Sequence, residues 1–177
     1  MIGAKMYLKT ERLFLRDIQT EDASLIAKWK SDLLIRKMSV GLDTEITIDN
    51  QMQDIKHSLE NDEELYNLIC LNDTEKPIGY IRINWIGDNM AWLRFGLGEE
   101  RKKGYAKEAL IGFINQLFKD GLHRIDSEVY DYNLDSINLL TQLGFIKEGV
   151  KREAHISEKK YSDVYVMGLL KRDWLFK

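Results

Sequence analysis

Arg101-Lys102-Lys103-Gly104-Tyr105-Ala106 places three consecutive cations in front of a glycine and a small residue. Downstream, Ala106, Ala109, Leu110, Phe113, Ile114, Leu117 and Phe118 recur at three- and four-residue spacing, which is one face of an α-helix. Upstream, Ala91 to Leu97 reads as a strand. A basic loop thus joins a strand to a helix N-terminus, where unpaired backbone N–H groups and the positive dipole end receive anions. Gly104 and Ala106 leave the backbone open to close approach. The chemistry is that of holding a phosphate-bearing cofactor. A nucleotide P-loop would need Gly-Lys-Ser/Thr, but the order here is Lys103-Gly104 with no Ser or Thr after it, which excludes an ATPase or GTPase. The dinucleotide pattern G-x-G-x-x-G is absent as well.

Other reactive side chains are sparse. Cys70 sits in the apolar run Leu65 to Leu71 and reads as a buried structural thiol. His57 falls on a helix and His123 in a helix-to-strand loop, and no His/Cys/Asp cluster has metal-ligand spacing, so no metal is expected. Asp126, Glu128 and Tyr130 alternate with Ile125, Ser127 and Val129, so they share one strand face that either attracts a cationic ligand or meets water.

The elements that position these residues follow from periodicity. Strands are expected at 11–17, 65–71, 78–85, 90–97, 124–130, 145–156 and 161–170. Thr20 is placed to N-cap a helix carrying Ala23, Ile26 and Trp29. Thr47 is placed to cap a second helix with Ile48, Met52, Ile55 and Leu59 on one stripe. Residues 33 to 46 read as irregular, with Gly41 breaking any helix there. Ile81, Ile83 and Trp85 alternate with Tyr80, Arg82 and Asn84, which predicts one buried face. Helices at 104–119 and 134–143 end near Gly121 and Gly144. The strand, helix and strand across 91–130 imply a right-handed parallel crossover.

Length and composition set outer bounds. At 177 residues the chain fits one domain, 1–177, with room for a real core. A formal net charge of −3 gives no basic field for nucleic acid or an anionic membrane surface. Met1 to Met6 lack a signal-peptide apolar core, no apolar run approaches a membrane span, and a single cysteine suits a reducing compartment, so a cytoplasmic location is expected.

The 101–106 hexapeptide fits Arg/Gln-x-x-Gly-x-Gly/Ala and resembles the acetyl-CoA pyrophosphate loop of the GNAT N-acetyltransferases. Residues 10–32 resemble the opening strand and first helix of that family's Rim-type branch, which includes the ribosomal-protein N-terminal acetyltransferases. Asn133-Leu-Asp-Ser136, Leu143-Gly144-Phe145 and Glu148-Gly149 resemble its N-x-x-S, L-G-F and E-G segments, and 161–174 its closing strand and tail. The likeness covers nearly the whole chain in order.

That resemblance implies an α+β fold: a mostly antiparallel, seven-stranded mixed sheet splayed at one parallel pair, with helices on both faces. It implies an acetyl-CoA-dependent N-acetyltransferase acting by direct attack in a ternary complex. The pantetheine arm would pair with the backbone of Phe95, Gly96 and Leu97, with the Leu97 N–H facing the thioester carbonyl. Arg101, Lys102, Lys103, Gly104, Tyr105 and Ala106 would hold the pyrophosphate, at least one of the cations being only solvated, and Asn133 would reach the pantetheine or simply cap its helix. Ser136 would protonate the departing CoA thiolate or be an ordinary first-turn serine. Leu139 and Leu140 stand where other branches carry a Tyr acid, and Trp92 where the branch commonly carries Glu. His155 follows Ala154 where a related type has its carboxylate, which makes it the candidate base or a surface histidine. Trp29, Met38, Trp85 and Trp92 are candidates for the acceptor cleft or for the core. The acceptor is a protein N-terminus, a polyamine, an aminoglycoside or an amino-sugar nucleotide. A non-catalytic acyl-CoA sensor is the alternative, and a homodimer is implied at family level only.

Overall fold

Strand alternation builds two separate cores, one on each face of a single sheet. The computed structural model describes residues 7–40, 45–157 and 159–176. In chain order the elements are β1 (Leu8–Lys9), β2 (Leu13–Asp17), α1 (Ala23–Ser31), α2 (Leu33–Ile35), α3 (Ile48–Glu60), β3 (Glu64–Leu71), β4 (Pro77–Trp85), β5 (Met90–Leu97), α4 (Tyr105–Lys119), β6 (Arg124–Tyr130), α5 (Leu134–Gln142), β7 (Ile146–Ser157) and β8 (Lys160–Leu170). The strands order as β1-β2-β3-β4-β5-β6-β8-β7. All neighbours are antiparallel except β5 and β6. The sheet has eight strands where seven were expected, because the two-residue β1 pairs with β2.

The larger core packs α4 and α5 against one face through Phe113, Ile114, Leu117, Leu140 and Leu143 with Leu13, Ile81, Leu93 and Ile125. The smaller core packs α1 and α3 against the other through Ile26, Trp29 and Ile55 with Tyr66, Leu68 and Tyr80. Each fully buried Leu, Ile or Phe contributes about 1.5–3 kcal/mol relative to exposure. Both faces of β4 are therefore covered, not one: Tyr80 and Arg82 are buried under α1 and α3 just as Ile81 and Ile83 are under α4.

Several boundaries shift for local reasons. Thr20 is not the cap; the chain turns one residue earlier, where the Gln19 N–H donates to the Asp22 carboxylate at 2.8 Å. Thr47 does cap α3, its hydroxyl accepting from the Asn50 N–H at 3.1 Å. The buried stripe of α3 is rotated from the apolar one, for Gln51, Ile55 and Ser58 are buried while Ile48 and Leu59 are exposed. Gln51 turns inward because its carbonyl accepts from Lys30 Nζ at 2.8 Å. Residues 33–40, expected to be irregular, form α2 followed by a wide helical turn over Arg36–Val40. The Asp32 carboxylate starts it by accepting from the Ile35 N–H at 3.1 Å. Gly41 and residues 1–6 lie outside the described residues.

Candidate active site

The parallel pair opens halfway along. Met90, Ala91 and Trp92 register with Arg124, Ile125 and Asp126, and no pairing of β5 with β6 follows. Each strand keeps its other neighbour to the end: β5 pairs β4 through Leu97, and β6 pairs β8 through Tyr130. The β4–β5 register is continuous, so divergence needs no bulge in β5, contrary to the usual expectation for a splayed pair. At the fork, the buried Ser127 hydroxyl donates to the Leu93 carbonyl at 3.1 Å. A side chain thus takes over where the backbone ladder stops.

Alternation decides which β5 groups face the opening. Hydrogen bonds of Ile86 N–H to Met90 O and of Gly98 N–H to Ile78 O fix the even-numbered residues of β5 toward β4. Phe95 and Leu97 therefore aim their N–H and C=O groups at the gap. Gly96 does not; its backbone polar groups face Tyr80, which corrects the expectation that all three residues offer free groups there.

The loop after β5 has the backbone shape of an anion cradle. Glu100, Lys102 and Gly104 have φ of 54, 62 and 82°, alternating with residues of negative φ. Such alternation turns successive N–H groups to one concave side and makes an anion nest. Gly104 then leads into α4, whose first turn adds its own N–H groups through Tyr105 and Ala106. The three cations divide their work. Arg101 braces the loop from inside, donating to Leu97 O at 3.1 Å and to Asp32 at 3.4 Å. Lys103 pairs with Glu100 at 2.5 Å, and Lys102 is exposed. Charge at the loop is thus partly internal.

Neighbouring elements hold the loop in place. A Cβ on Gly98 would sit inside the Trp29 ring, so α1 packs directly on the loop's start, and Trp29 is core. Glu108, in the first turn of α4, accepts from the Thr10 hydroxyl at 2.7 Å, the Arg12 N–H at 2.8 Å and Arg12 Nε at 2.6 Å. Arg12 also donates to Lys103 O at 3.2 Å and lies over the Tyr105 ring. None of the Arg12, Glu108 or Ser127 roles was readable from motif matching.

A cleft of about 400 Å³ lies over the fork, lined by Phe95, Trp92, Met38, Ser127, Glu128, Tyr130, Asn133, Ser136 and His155 among others. It thus brings together Ser136, His155, Asn133 and Phe95, which lie far apart in the chain. Arg101, Lys102, Lys103, Gly104, Tyr105 and Ala106 are not among its lining residues; they sit beyond the end of β5. Asn133 is both a cap and a tether: its Oδ1 accepts from the Ser136 N–H at 3.2 Å and its Nδ2 donates to Met38 O at 3.1 Å. Beside it the Tyr132 hydroxyl donates to Lys37 O at 2.8 Å, so the 36–40 turn is docked on the β6–α5 junction. Burial and the nearby Tyr130 and Asp131 push the Tyr132 hydroxyl up to about 12, which keeps it a donor.

His155 reaches the cleft through a bulge. Lys151 pairs with Val164 and His155 with Ser162, so three residues of β7 stand against one of β8. Glu153 takes φ of 51° there, and its N–H donates to Asp163 at 2.8 Å. The bulge re-aims the strand. The imidazole stacks on Tyr130 with centroids 3.9 Å apart, and its Nε2 is buried without a hydrogen-bond partner among the described residues. Glu148, by contrast, is structural, pairing with Arg124 at 2.5 Å in the space left by the missing Cβ of Gly168. Asp126 also pairs with Arg124, at 2.5 Å, while Glu128 lines the cleft and pairs with Lys151. Trp85 packs against the larger core, and Cys70 is buried, as expected of a structural thiol.

A sheet forked at its one parallel pair, with an anion nest entering a helix beside the fork, defines a class of acyl-group transferases. Residues 12–146 match the Acetyltransferase (GNAT) domain family, and the chain belongs to that family. An uncharacterised N-acetyltransferase, p20, of Bacillus licheniformis is 33% identical over 174 residues, spanning 94% of this chain and 97% of its own. A spermidine N-acetyltransferase from Vibrio cholerae, solved with CoA and spermine, superposes with a TM-score of 0.83 at 20% identity over 93% of this chain and 98% of its own. A ribosomal-protein-S5-alanine acetyltransferase from Vibrio fischeri gives 0.80 at 22% identity, over 96% and 99%. Those two likenesses carry the fold. The protein is an acyltransferase enzyme. No described helix is long and apolar enough to cross a membrane.

Proposed function

We propose that this chain, acting as one domain, transfers acetyl from acetyl-CoA to a primary amine by direct attack in a ternary complex. The observation that carries the reading is the fork itself: the N–H groups of Phe95 and Leu97 point into a gap that opens after Trp92 and Asp126 and runs toward the 100–104 nest. The residues fit the cofactor. The nest and the first turn of α4 suit a pyrophosphate, and the β6-facing groups of β5 suit an added extended strand, which an amide-bearing pantetheine arm imitates. When bound, acetyl-CoA supplies an activated acetyl thioester. Phe95 orients the arm, and the Leu97 N–H is the donor for negative charge that develops on the carbonyl oxygen. Asn133 has Oδ1 fixed by Ser136, which leaves Nδ2 as the group that exchanges Met38 O for the arm. Ser136, on the cleft wall, is the proton donor for the leaving sulfur. His155 Nε2, with its unmet hydrogen-bonding capacity, is the base for the acceptor ammonium.

An α-amine suits so lightly equipped a cleft, because its ordinary pKa of about 7.7–8.0 leaves a useful neutral fraction near pH 7. The cytoplasm is the compartment that supplies such a cofactor and acceptor. The test is thiol release from acetyl-CoA across a panel of amines, including a peptide N-terminus, a polyamine and small α-amines. Amine-dependent release supports the proposal. Tight acetyl-CoA binding with no release for any amine would instead mark a non-catalytic acyl-CoA sensor.

A further inference from the structure

The cleft has a second wall that the transfer chemistry does not use. Tyr66, Arg82 and Arg94 form one row across β3, β4 and β5, in register and on the face that carries α1 and α3. Lys30, in the last turn of α1, comes down on the same wall, and all four line the cleft. Arg82 is spent: its guanidinium pairs with the buried Glu64 and donates to both oxygens of Asp54 at 2.9 and 2.7 Å. Lys30 and Arg94 are not spent on carboxylates. Lys30 Nζ donates to the Gln51 amide oxygen at 2.8 Å, and Arg94 donates to the Asn84 amide oxygen. Among the described residues neither makes an ion pair. The Tyr66 hydroxyl has no hydrogen-bond partner among the described residues, although Tyr66 is only 5% exposed. Three cations thus face two carboxylates, and both carboxylates are already taken by the middle cation. The carboxylate on the opposite wall, Glu128, is paired with Lys151.

We infer that this wall holds an anionic group of the acceptor, so that the substrate is a small primary amine bearing a carboxylate or a phosphate, bound by Arg94, Lys30 and the Tyr66 hydroxyl. The inference rests on the acetyltransferase reading above and narrows its acceptor. Burial and the nearby Arg82 and Arg94 cations hold the Lys30 ammonium below its usual range, against the pull of Asp54, and an incoming anion offsets the crowding of positive charge. Tyr66 is pushed well above the usual phenol range by burial, so it stays protonated and can donate. A polyamine would meet the same wall as a like charge.

The experiment measures kcat/KM for two matched pairs, an α-amino acid against its isosteric amide and phosphoethanolamine against ethanolamine, with spermidine and an N-terminal peptide alongside. A charge-assisted contact to Arg94 and Lys30 should favour at least one anionic partner over its neutral mate by about tenfold or more. The first pair reports a carboxylate and the second a phosphate. Arg94→Gln, at an exposed position, should collapse the ratio with the circular dichroism spectrum unchanged, and Arg94→Glu should invert it toward spermidine. Ratios near one in both pairs, a preference for spermidine or the peptide, or a ratio unchanged in Arg94→Gln would overturn the inference while leaving the acetyltransferase reading intact. If no amine releases CoA, that reading fails instead. The wall is then judged by calorimetry with acetate and inorganic phosphate on protein saturated with CoA, which occupies the nest. Binding lost in Arg94→Gln and Lys30→Met upholds the wall, and absence of binding in the parent protein refutes it.

Discussion

Ser127→Ala tests whether the fork is built as described. The Ser127 hydroxyl is 3.1 Å from the Leu93 carbonyl, and the residue is 3% exposed. Removing it deletes one hydrogen bond and leaves a buried carbonyl without that donor, a loss of about 1–3 kcal/mol. In a domain of this size 1 kcal/mol shifts the melting temperature by about 2–4 °C, so a fall of roughly 2–12 °C is expected. The effect should also reach the cofactor. Leu93 and Phe95 aim their polar groups the same way, so a carbonyl no longer held by β6 loosens the edge proposed to carry the arm. The acetyl-CoA KM should rise while far-ultraviolet dichroism stays native. The assay pairs a thermal melt with thiol-release kinetics at saturating acceptor. A variant that melts within 1 °C of the parent, with unchanged acetyl-CoA KM, would show that Ser127 merely fills space and that something else holds the fork.

Other outcomes follow from the same contacts. Gly98→Ala drives a methyl into the Trp29 ring and should cost about 1–3 kcal/mol by overpacking, read as a lower urea midpoint. Burial alone would raise the Glu108 carboxyl, but Thr10 and the Arg12 N–H and guanidinium hold it below its usual range. A depressed carboxyl contributes stability above its unfolded pKa and loses it as pH falls through the folded value. Glu108→Gln should therefore be destabilised by about 1–3 kcal/mol at pH 7, with the gap closing below about pH 4.3, as pH-dependent melts would show. Ser136→Ala should lower kcat more than it raises the acetyl-CoA KM, in a reaction where chemistry limits the rate. His155→Gln should lower kcat/KM on a Lys-like acceptor, and an unchanged kcat/KM would return His155 to a surface role.

The elements were legible in the sequence because they repeat a physical period. The stripe from Ala109 to Phe118 and the alternation in 124–130 mark α4 and β6 almost to the residue. What stayed hidden depends on contacts between distant segments. Gln51 is buried only because Lys30 reaches it, so no hydrophobic scale marks it as inward-facing. Arg82 looks like a solvent-facing strand residue until Glu64 and Asp54 cover it. Motif matching gathered Asn133, Ser136 and His155 as candidates, but only the bulge at 152–154 explains how the last of them reaches the cleft. Arg101 was legible as a cation and not as a brace, since its partners Leu97 O and Asp32 are matters of loop shape. The even–odd split that removes Gly96 from the gap needed the β4 register.

In the proposed function the backbone of the 100–106 segment receives the phosphates of acetyl-CoA. Its most direct test is calorimetric titration of acetyl-CoA into the parent protein and into Gly104→Glu. Gly104 has φ of 82° at the head of α4, where a carboxylate side chain adds strain, bulk and negative charge together. Clear binding to the parent and none to the variant is expected, with circular dichroism unchanged. Equal affinity in the two folded proteins would contradict it.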